Sequence, residues 1–334
     1  MALIMRNGTN FAANRHQYLI MNPLAIKNQL MSRSLFIPAL ALLLSFSACK
    51  KDSNTPTNGG PKDSTTNNPP PVDPTTPMGS GKKGADFSTN MAYGTWNGDV
   101  VALKAFWYYT WGTPLPSPSP QNCEFVSMFW GAANVTSSNI SAVQTLKTQG
   151  KVKYVLGFNE PNRADQANMT VSQALKLWPQ LESIGLPLGS PAADWPTQQW
   201  IYDFLDSCIA EKKRVDFICV HMYPGGLDDN SFVQTLVDLH NKYNKDIWIT
   251  EFAVADWSAT KQSDNDFTPD QVLAFMKRLL PKLEALSYVK RYSWFSGDPK
   301  GAALWSSALI DANGSLTALG TWYANYQPNT AIAK

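Results

Sequence analysis

The chain has 334 residues, a formal net charge of +2 and only three histidines. This balance provides no basic face for nucleic acid and no acidic tail. The sequence contains neither an HExxH nor a CxxC motif, so we predict no metal site. The length allows one large domain or two small ones.

The N-terminal region is predicted to be removed from the working protein. Residues 1–30 show no convincing structural pattern, and we interpret them as a non-native or dispensable extension before a start at Met31. A positive charge, an apolar run at 35–46 and small residues then follow, as in an export signal. Because a cysteine comes next, 31–48 resembles a lipoprotein signal peptide, which implies cleavage before Cys49 and acylation of its sulfur. The alternative is an ordinary signal with a chance cysteine.

Composition divides the rest of the chain into three parts. Residues 49–83 are rich in Pro, Thr, Asn and Ser with almost nothing apolar, so we predict a disordered tether. Residues 84–327 have a globular composition and the length typical of a (β/α)8 barrel. Residues 328–334 are assigned to a short tail. The sequence therefore predicts one folded domain, exported and anchored by lipid to a bacterial envelope, at the outer membrane or cell surface.

Short apolar segments alternate with helical patterns along the folded region. Helical spacing predicts a helix over Ser231–Tyr243, and Thr268-Pro269 predicts the start of another. Asn313-Gly314 predicts a tight hairpin before a closing helix. The alternation favours a parallel sheet, so the predicted fold class is α/β, a (β/α)8 TIM barrel. The eight predicted strands are Gly84–Ser88, Ala105–Tyr109, Phe125–Trp130, Val152–Phe158, Leu186–Ser190, Phe217–His221, Ile247–Thr250 and Val289–Phe295.

Two glutamates directly follow predicted strands. The apolar run Tyr154–Phe158 suits a strand buried on both faces, and this strand must end near Glu160 because Pro161 cannot continue it. Glu251 likewise follows the strand Ile247–Thr250. Chemistry in β/α barrels lies at this edge, and a retaining glycosidase needs one protonated and one ionised carboxyl group. We therefore predict Glu160 as the acid/base and Glu251 as the nucleophile; the alternative is two surface glutamates.

Other side chains near the same edge are candidate substrate contacts. Asn159 could hydrogen-bond a sugar 2-hydroxyl or serve only as a turn residue. His221 and Tyr223 leave the sixth strand, and His221 could bind the nucleophile or a hydroxyl, or pack at the barrel rim. Trp294 could form the floor under the sugar or pack in the core. The remaining candidates are aromatic residues at strand ends or in the following loops: Tyr109, Trp111, Trp130, Trp195 and Trp257.

Three cysteines remain after Cys49, at positions 123, 208 and 219. An odd number allows at most one disulfide within the fold. Cys208 and Cys219 could form it in an exported protein, and free buried thiols are the alternative.

Seven ordered motifs carry a resemblance to a known family. In chain order they are AFWYYTWG from Ala105, FVSMFWG, LGFNEP, LGSPA, DFICVHMYP, ITEFA and YSWFS. Their order and spacing resemble glycoside hydrolase family 128, whose members are (β/α)8 barrels similar in activity to retaining endo-β-1,3-glucanases. The resemblance matches Glu160 to the family's acid/base and Glu251 to its nucleophile. Met222 stands where a Trp is common, which affects the expected sugar contacts there.

The resemblance implies a single catalytic domain that hydrolyses internal β-1,3-glucosidic bonds of β-glucan. We also expect no cofactor, a monomer, no nucleic-acid partner, and contact with the membrane only through the lipid anchor. Three alternatives remain: a hydrolase of another β-glycan such as mixed-linkage glucan or mannan, a catalytically dead glycan-binding lipoprotein, and a structural lipoprotein without a ligand.

Overall fold

Short parallel strands alternate with helices in the computed structural model, which describes residues 78–334. The predicted signal peptide, Cys49 and most of the predicted tether lie outside the described residues. The strands are β1 (Lys83–Asp86), β2 (Trp107–Tyr109), β3 (Glu124–Phe125), β4 (Ser127–Met128), β5 (Val155–Leu156), β6 (Phe217–Met222), β7 (Asp246–Phe252) and β8 (Val289–Trp294). The helices are α1 (Trp96–Ala102), α2 (Ser137–Thr148), α3 (Val171–Glu182), α4 (Gln199–Ala210), α5 (Asp229–Tyr243), α6 (Pro269–Ala285) and α7 (Ala318–Asn325).

Parallel pairing runs around the barrel. Six strands pair in the order β3-β2-β1-β8-β7-β6, and β4 pairs with β5. Leu188 bridges to Val155 in β5, and Gly189 bridges to Phe217 in β6, both in parallel. Because β3 and β4 are separated only by Val126, they form one interrupted barrel strand. The α/β class and the barrel architecture predicted from the sequence are confirmed.

Three positions of the barrel differ from the prediction. The predicted fourth strand, Val152–Phe158, is reduced to the two residues of β5. The predicted fifth strand, Leu186–Ser190, is reduced to the isolated bridges at Leu188 and Gly189. The connection from β2 to β3 is fully described and contains no helix. Residues 113–120 read TPLPSPSP, and four prolines in eight residues remove the backbone donors that a helix would need.

Helix starts follow the expected capping chemistry. Thr268 accepts a hydrogen bond from the backbone N–H of Gln271, whose side chain bonds back, and Pro269 occupies the first helical turn. Val272, Phe275 and other apolar residues of α6 pack into the core. The helix that the sequence placed at Ser231–Tyr243 begins two residues earlier, because Asp228 caps it.

Two adjacent lysines at the start of β1 cap the ends of two helices. Lys83 is fully buried, and its Nζ donates to the carbonyl oxygens of Tyr323, Ala324 and Tyr326 at 2.8–3.1 Å. Lys82 donates to three carbonyls at the end of α6, including that of Leu286 at 3.0 Å. Each ammonium satisfies carbonyls that have no partner within the helix. The fold therefore includes residues before Gly84.

The chain end packs against the barrel. Asn329 is buried, and its Nδ2 donates to the carbonyls of Ala105 and Asn122 at 3.0 and 2.8 Å. Gln121 forms an antiparallel bridge with Ala333. The segment that the sequence assigned to a tail thus fastens the start of β2.

The three cysteines of the described region are free thiols. Cys208 and Cys219 are buried, so of the two possibilities left open by the sequence, the structure has the free thiols. Burial raises the pKa of the Cys208 thiol to about 12. Within residues 78–334, no helix combines the length and apolar character needed to cross a membrane.

Candidate active site

The two predicted catalytic glutamates meet at one end of the barrel. Glu160 is 4% exposed and Glu251 is fully buried. Three atoms lie within 4.8 Å of one another: one carboxylate oxygen of each glutamate and one ring nitrogen of His221. The strand ends therefore bring together side chains that are ninety-one positions apart in the sequence, as the barrel geometry requires.

The local backbone is bent so that these side chains point into the site. Glu160 has φ +39° and Trp111 has φ +56°, a left-handed conformation that costs free energy in a residue with a side chain. Hydrogen bonds hold the first bend, because the N–H of Glu160 donates to the carbonyl of Ala192 at 2.7 Å. The N–H of Asn159 donates to Trp130 in the same way at 2.9 Å.

Three side chains donate hydrogen bonds to Glu251. The Tyr223 hydroxyl donates to Oε2 at 2.5 Å, and the Trp111 indole donates to Oε1 at 2.8 Å. The Tyr109 hydroxyl lies 3.3 Å from Oε1 and 3.1 Å from the Thr250 carbonyl. Donors aimed at a carboxylate favour its ionised form, which is the form that a nucleophile needs.

Glu160 has different neighbours. His221 is fully buried, and its Nδ1 lies 2.9 Å from Glu160 Oε1. The other ring nitrogen, Nε2, lies 3.6 Å from Oε1 of Glu251, which is beyond hydrogen-bond distance. The partly exposed Arg163 places its Nε 3.8 Å from Glu160 Oε2. The imidazole thus stands between the two carboxyl groups and can exchange a proton with Glu160.

The same three side chains form a geometrically possible cation site. Glu160, His221 and Glu251 are the group of residues in the described part of the chain whose ligand atoms approach closely enough to share one ion. Both oxygens of Glu251 already accept hydrogen bonds. This donor set suits proton transfer and attack on carbon better than it suits coordination.

A cleft opens beside the carboxyl groups. It reaches the catalytic groups through Trp111, which contacts Glu251, and through Asn159, the neighbour of Glu160. Its walls come from the end of β1 and from the segments that follow β1, β2, β4, β5 and β8. The lining includes Asp86, Phe87, Asn90, Met91, Tyr93, Trp111, Trp130, Asn159, Gln166, Phe295, Ser296, Asp298 and Pro299.

Some predicted contacts lie elsewhere. Trp294 is 1% exposed and packs edge-on against Phe252, with its indole donating to the Ser307 carbonyl at 2.9 Å. This position favours the core-packing alternative over a sugar floor, and the next residue, Phe295, lines the cleft instead. Side chains of successive residues along a strand point to opposite sides. A shift of one residue, from Trp294 to Phe295, therefore separates a side chain packed in the core from one that lines the cleft.

The two loop tryptophans differ in exposure. Trp195 is partly buried and packs against the hydrophobic core. Trp257 is 47% exposed and meets Tyr223 edge-on, with 5.6 Å between ring centroids. Trp257 is therefore joined to the residue that holds Glu251, whereas Trp195 is not among the cleft-lining residues.

Three polar residues near the two glutamates were not predicted from the sequence. Asp86 ends β1, is 3% exposed and lines the cleft; a carboxylate at a strand end is the same signal that identified Glu160. Gln166 accepts a hydrogen bond from Asn159 Nδ2 at 3.0 Å, and Arg163 lies near Glu160. Both belong to the loop after β5, where no periodicity marks them.

Comparisons with known proteins agree with this geometry. A family model described as the glycosyl hydrolase catalytic core matches residues 90–323. Alkali-sensitive linkage protein 1 of Schizosaccharomyces pombe is 32% identical over 257 residues, covering 73% of this chain and 44% of that protein. The chain thus spans less than half the length of this curated relative.

Solved structures extend the comparison. An endo-β-1,3-glucanase variant from Amycolatopsis mediterranei, in complex with laminaripentaose, is 30% identical with a TM-score of 0.63, over 73% of this chain and 98% of that one. A curdlan-specific exo-β-1,3-glucanase from Blastomyces gilchristii is 27% identical with a TM-score of 0.58, over 74% and 99% of the two chains. The barrel, the facing carboxyl groups and these matches define a glycoside hydrolase. The chain belongs to glycoside hydrolase family 128, which confirms the resemblance described above.

Proposed function

We propose that the protein hydrolyses internal β-1,3-glucosidic bonds with retention of anomeric configuration. The observation that carries this proposal is the approach of Glu160 and Glu251 oxygens to within 4.8 Å. Retaining enzymes hold their two carboxyl groups about 5–5.5 Å apart, whereas inverting enzymes leave about 6.5–9.5 Å for a water molecule. An oxygen pair this close is compatible with the retaining arrangement, in which one carboxylate attacks directly.

The reaction then takes two steps. Glu251, ionised by its hydrogen-bond donors, attacks the anomeric carbon while Glu160 gives its proton to the departing glycosidic oxygen. This forms a covalent glycosyl ester on Glu251 and releases the first sugar product. Glu160, now a carboxylate, takes a proton from water, which attacks the same carbon and frees Glu251. Asn159, which lines the cleft beside Glu160, is placed to bind the sugar 2-hydroxyl.

The choice of β-1,3-glucan rests on the neighbours, because they were solved with laminari-oligosaccharides or named for curdlan. The aromatic walls of the cleft, Trp111, Trp130 and Phe295, suit the flat apolar faces of sugar rings. Mixed-linkage glucan and mannan offer similar faces, so defined oligosaccharides of each linkage distinguish the substrates.

Three variants test the chemistry. Glu251→Gln and Glu160→Gln should each remove nearly all turnover of soluble β-1,3-glucan, whereas Glu211→Gln, at the exposed end of α4, should act like the parent enzyme. Proton NMR of the first product should show the β-anomer before mutarotation. An α-anomer would refute the retaining mechanism. Glucan binding in calorimetry without release of reducing ends would instead favour the glycan-binding alternative.

We also propose that Cys49 carries a lipid anchor that holds the enzyme at a bacterial envelope. The proposal rests on the apolar run and small residues before this cysteine. Expression of the full chain in a bacterium with labelled fatty acid should label the parent and not Cys49→Ser. Equal labelling of both would refute the anchor.

A further inference from the structure

Two loops from different strands meet beside the cleft. Tyr93, in the loop after β1, and Pro299, in the loop after β8, line the same cavity as Trp111 and Asn159. Lys300, next to Pro299, places its Nζ 5.3 Å from the centre of the Tyr93 ring. An ammonium group at this distance is attracted to the face of the ring. The contact therefore joins the two loops at the cleft rim.

The loop after β8 is held so that Lys300 points across the rim. Asp298 Oδ1 accepts the backbone N–H of Lys300 at 2.8 Å, and the Asp298 carbonyl accepts that of Gly301 at 3.0 Å, which closes a tight turn. Gln262, from the loop after β7, donates to the carbonyl of Pro299 at 2.8 Å. These hydrogen bonds hold the backbone of the turn, from which the Lys300 side chain extends to the Tyr93 ring.

Tyr93 is also supported by the backbone that follows it. Gly94 has φ +68°, and a side chain there would meet the Asp99 carboxylate at 2.6 Å. Gly314, in the hairpin near the chain end, lies so close to Gly94 that a Cβ atom at position 314 would collide with the Gly94 backbone. Two glycines therefore allow the close packing that sets Tyr93 at the rim.

We propose that the Tyr93–Lys300 contact is a specificity-determining boundary that limits how many glucosyl units the cleft holds at this end. This inference rests on the proposed glucanase function. A chain that fits within the cleft leaves the contact intact, whereas a longer chain must separate the ammonium from the ring. The contact is weak because the lysine is exposed. Breaking it should reduce the affinity for a longer chain by about two- to five-fold. This is enough to bias the length of the products without excluding longer chains.

The test measures kcat/KM and product length for β-1,3-gluco-oligosaccharides of increasing size. In the parent enzyme we expect kcat/KM to stop rising at the length that fills the cleft. In Tyr93→Ala and Lys300→Ala, the plateau should move to longer substrates, and digestion of glucan should release longer products. Tyr93→Phe and Lys300→Arg keep the ring and the charge and should resemble the parent.

A matched control breaks the same kind of contact away from the cleft. Lys242 lies 3.9 Å from the centre of the Tyr202 ring on the outer helices, and Lys242→Ala should leave the length profile unchanged. An unshifted plateau in both rim variants, or an equal loss on all lengths, would overturn the boundary while leaving the glucanase proposal intact. An inactive parent enzyme would instead overturn the glucanase proposal itself.

Discussion

The hydrogen bond from Tyr223 to Glu251 should control the pH at which the enzyme gains activity. The hydroxyl lies 2.5 Å from Oε2, and both groups are buried. A hydrogen bond to a charged group contributes about 1.5–3 kcal/mol. Because 1.36 kcal/mol corresponds to one pH unit, Tyr223→Phe should move the acidic limb of the pH–rate profile upward by about 1–2 units.

The direction follows from the charge state. Removing a donor destabilises the ionised form of Glu251 relative to its protonated form. The group therefore stays protonated, and inactive as a nucleophile, up to a higher pH. The activity on the plateau should also fall, since the carboxylate loses one of the contacts that orient it. The assay is kcat/KM for soluble β-1,3-glucan from pH 4 to pH 8.

Tyr109 provides the matched control. Its hydroxyl oxygen lies 3.1 Å from the Thr250 carbonyl oxygen and 3.3 Å from Glu251 Oε1, so its single proton is shared between two acceptors. Tyr109→Phe should therefore shift the acidic limb much less than Tyr223→Phe does. An unshifted limb in Tyr223→Phe, or equal shifts in the two variants, would refute the assignment of the short hydrogen bond as the main support of the carboxylate.

Further predictions concern stability and the proton on His221. Lys83→Met should lower the free energy of unfolding in urea by about 3 kcal/mol, because three helix-end carbonyls lose their donor. The control Lys277→Met, at an exposed position of α6, should change the free energy of unfolding little, and equal effects of the two variants would contradict the capping role. Burial raises the pKa of Asp99 from 3.8 to about 7, so the parent should lose stability as pH rises from 4 to 8. Asp99→Asn should abolish this loss. The same dependence of the melting temperature on pH in the parent and in Asp99→Asn would refute the role of Asp99. Nitrogen NMR of the free enzyme should show that the neutral form of the His221 ring carries its proton on Nε2. A proton on Nδ1 would contradict a hydrogen bond from Glu160 to that nitrogen.

Local sequence patterns predicted the long strands and capped helices best. The strand β7 (Asp246–Phe252) contains the predicted Ile247–Thr250 and extends past Glu251, and the Thr268–Gln271 pair defines the start of α6. The fifth strand was overestimated, because Leu186–Ser190 has the composition of a strand but forms only isolated bridges. A two-residue contact leaves no periodic pattern to distinguish it from a longer strand.

The sequence singled out the two glutamates that the structure brings together, but it did not indicate several residues around them. Glu160 follows β5 and Glu251 lies near the end of β7, so closure of the barrel places them close to each other. Gln166 and Tyr93 reach the cleft from loops, whose paths depend on tertiary contacts rather than on local propensity. Trp294 shows the opposite limit: its place at a strand end suggested a sugar contact, but its ring faces the core.

The position of His221 gives the two glutamates different tasks. With the ring proton on Nε2, the bare Nδ1 accepts a hydrogen bond from protonated Glu160 at 2.9 Å, while the N–H faces the negative charge of Glu251. Both carboxyl groups are then suited to the first step, one as acid and one as nucleophile. Once Glu160 has given up its proton, its anionic oxygen faces the lone pair of Nδ1. That repulsion is relieved when Glu160 takes a proton from water, which is the event that the second step requires.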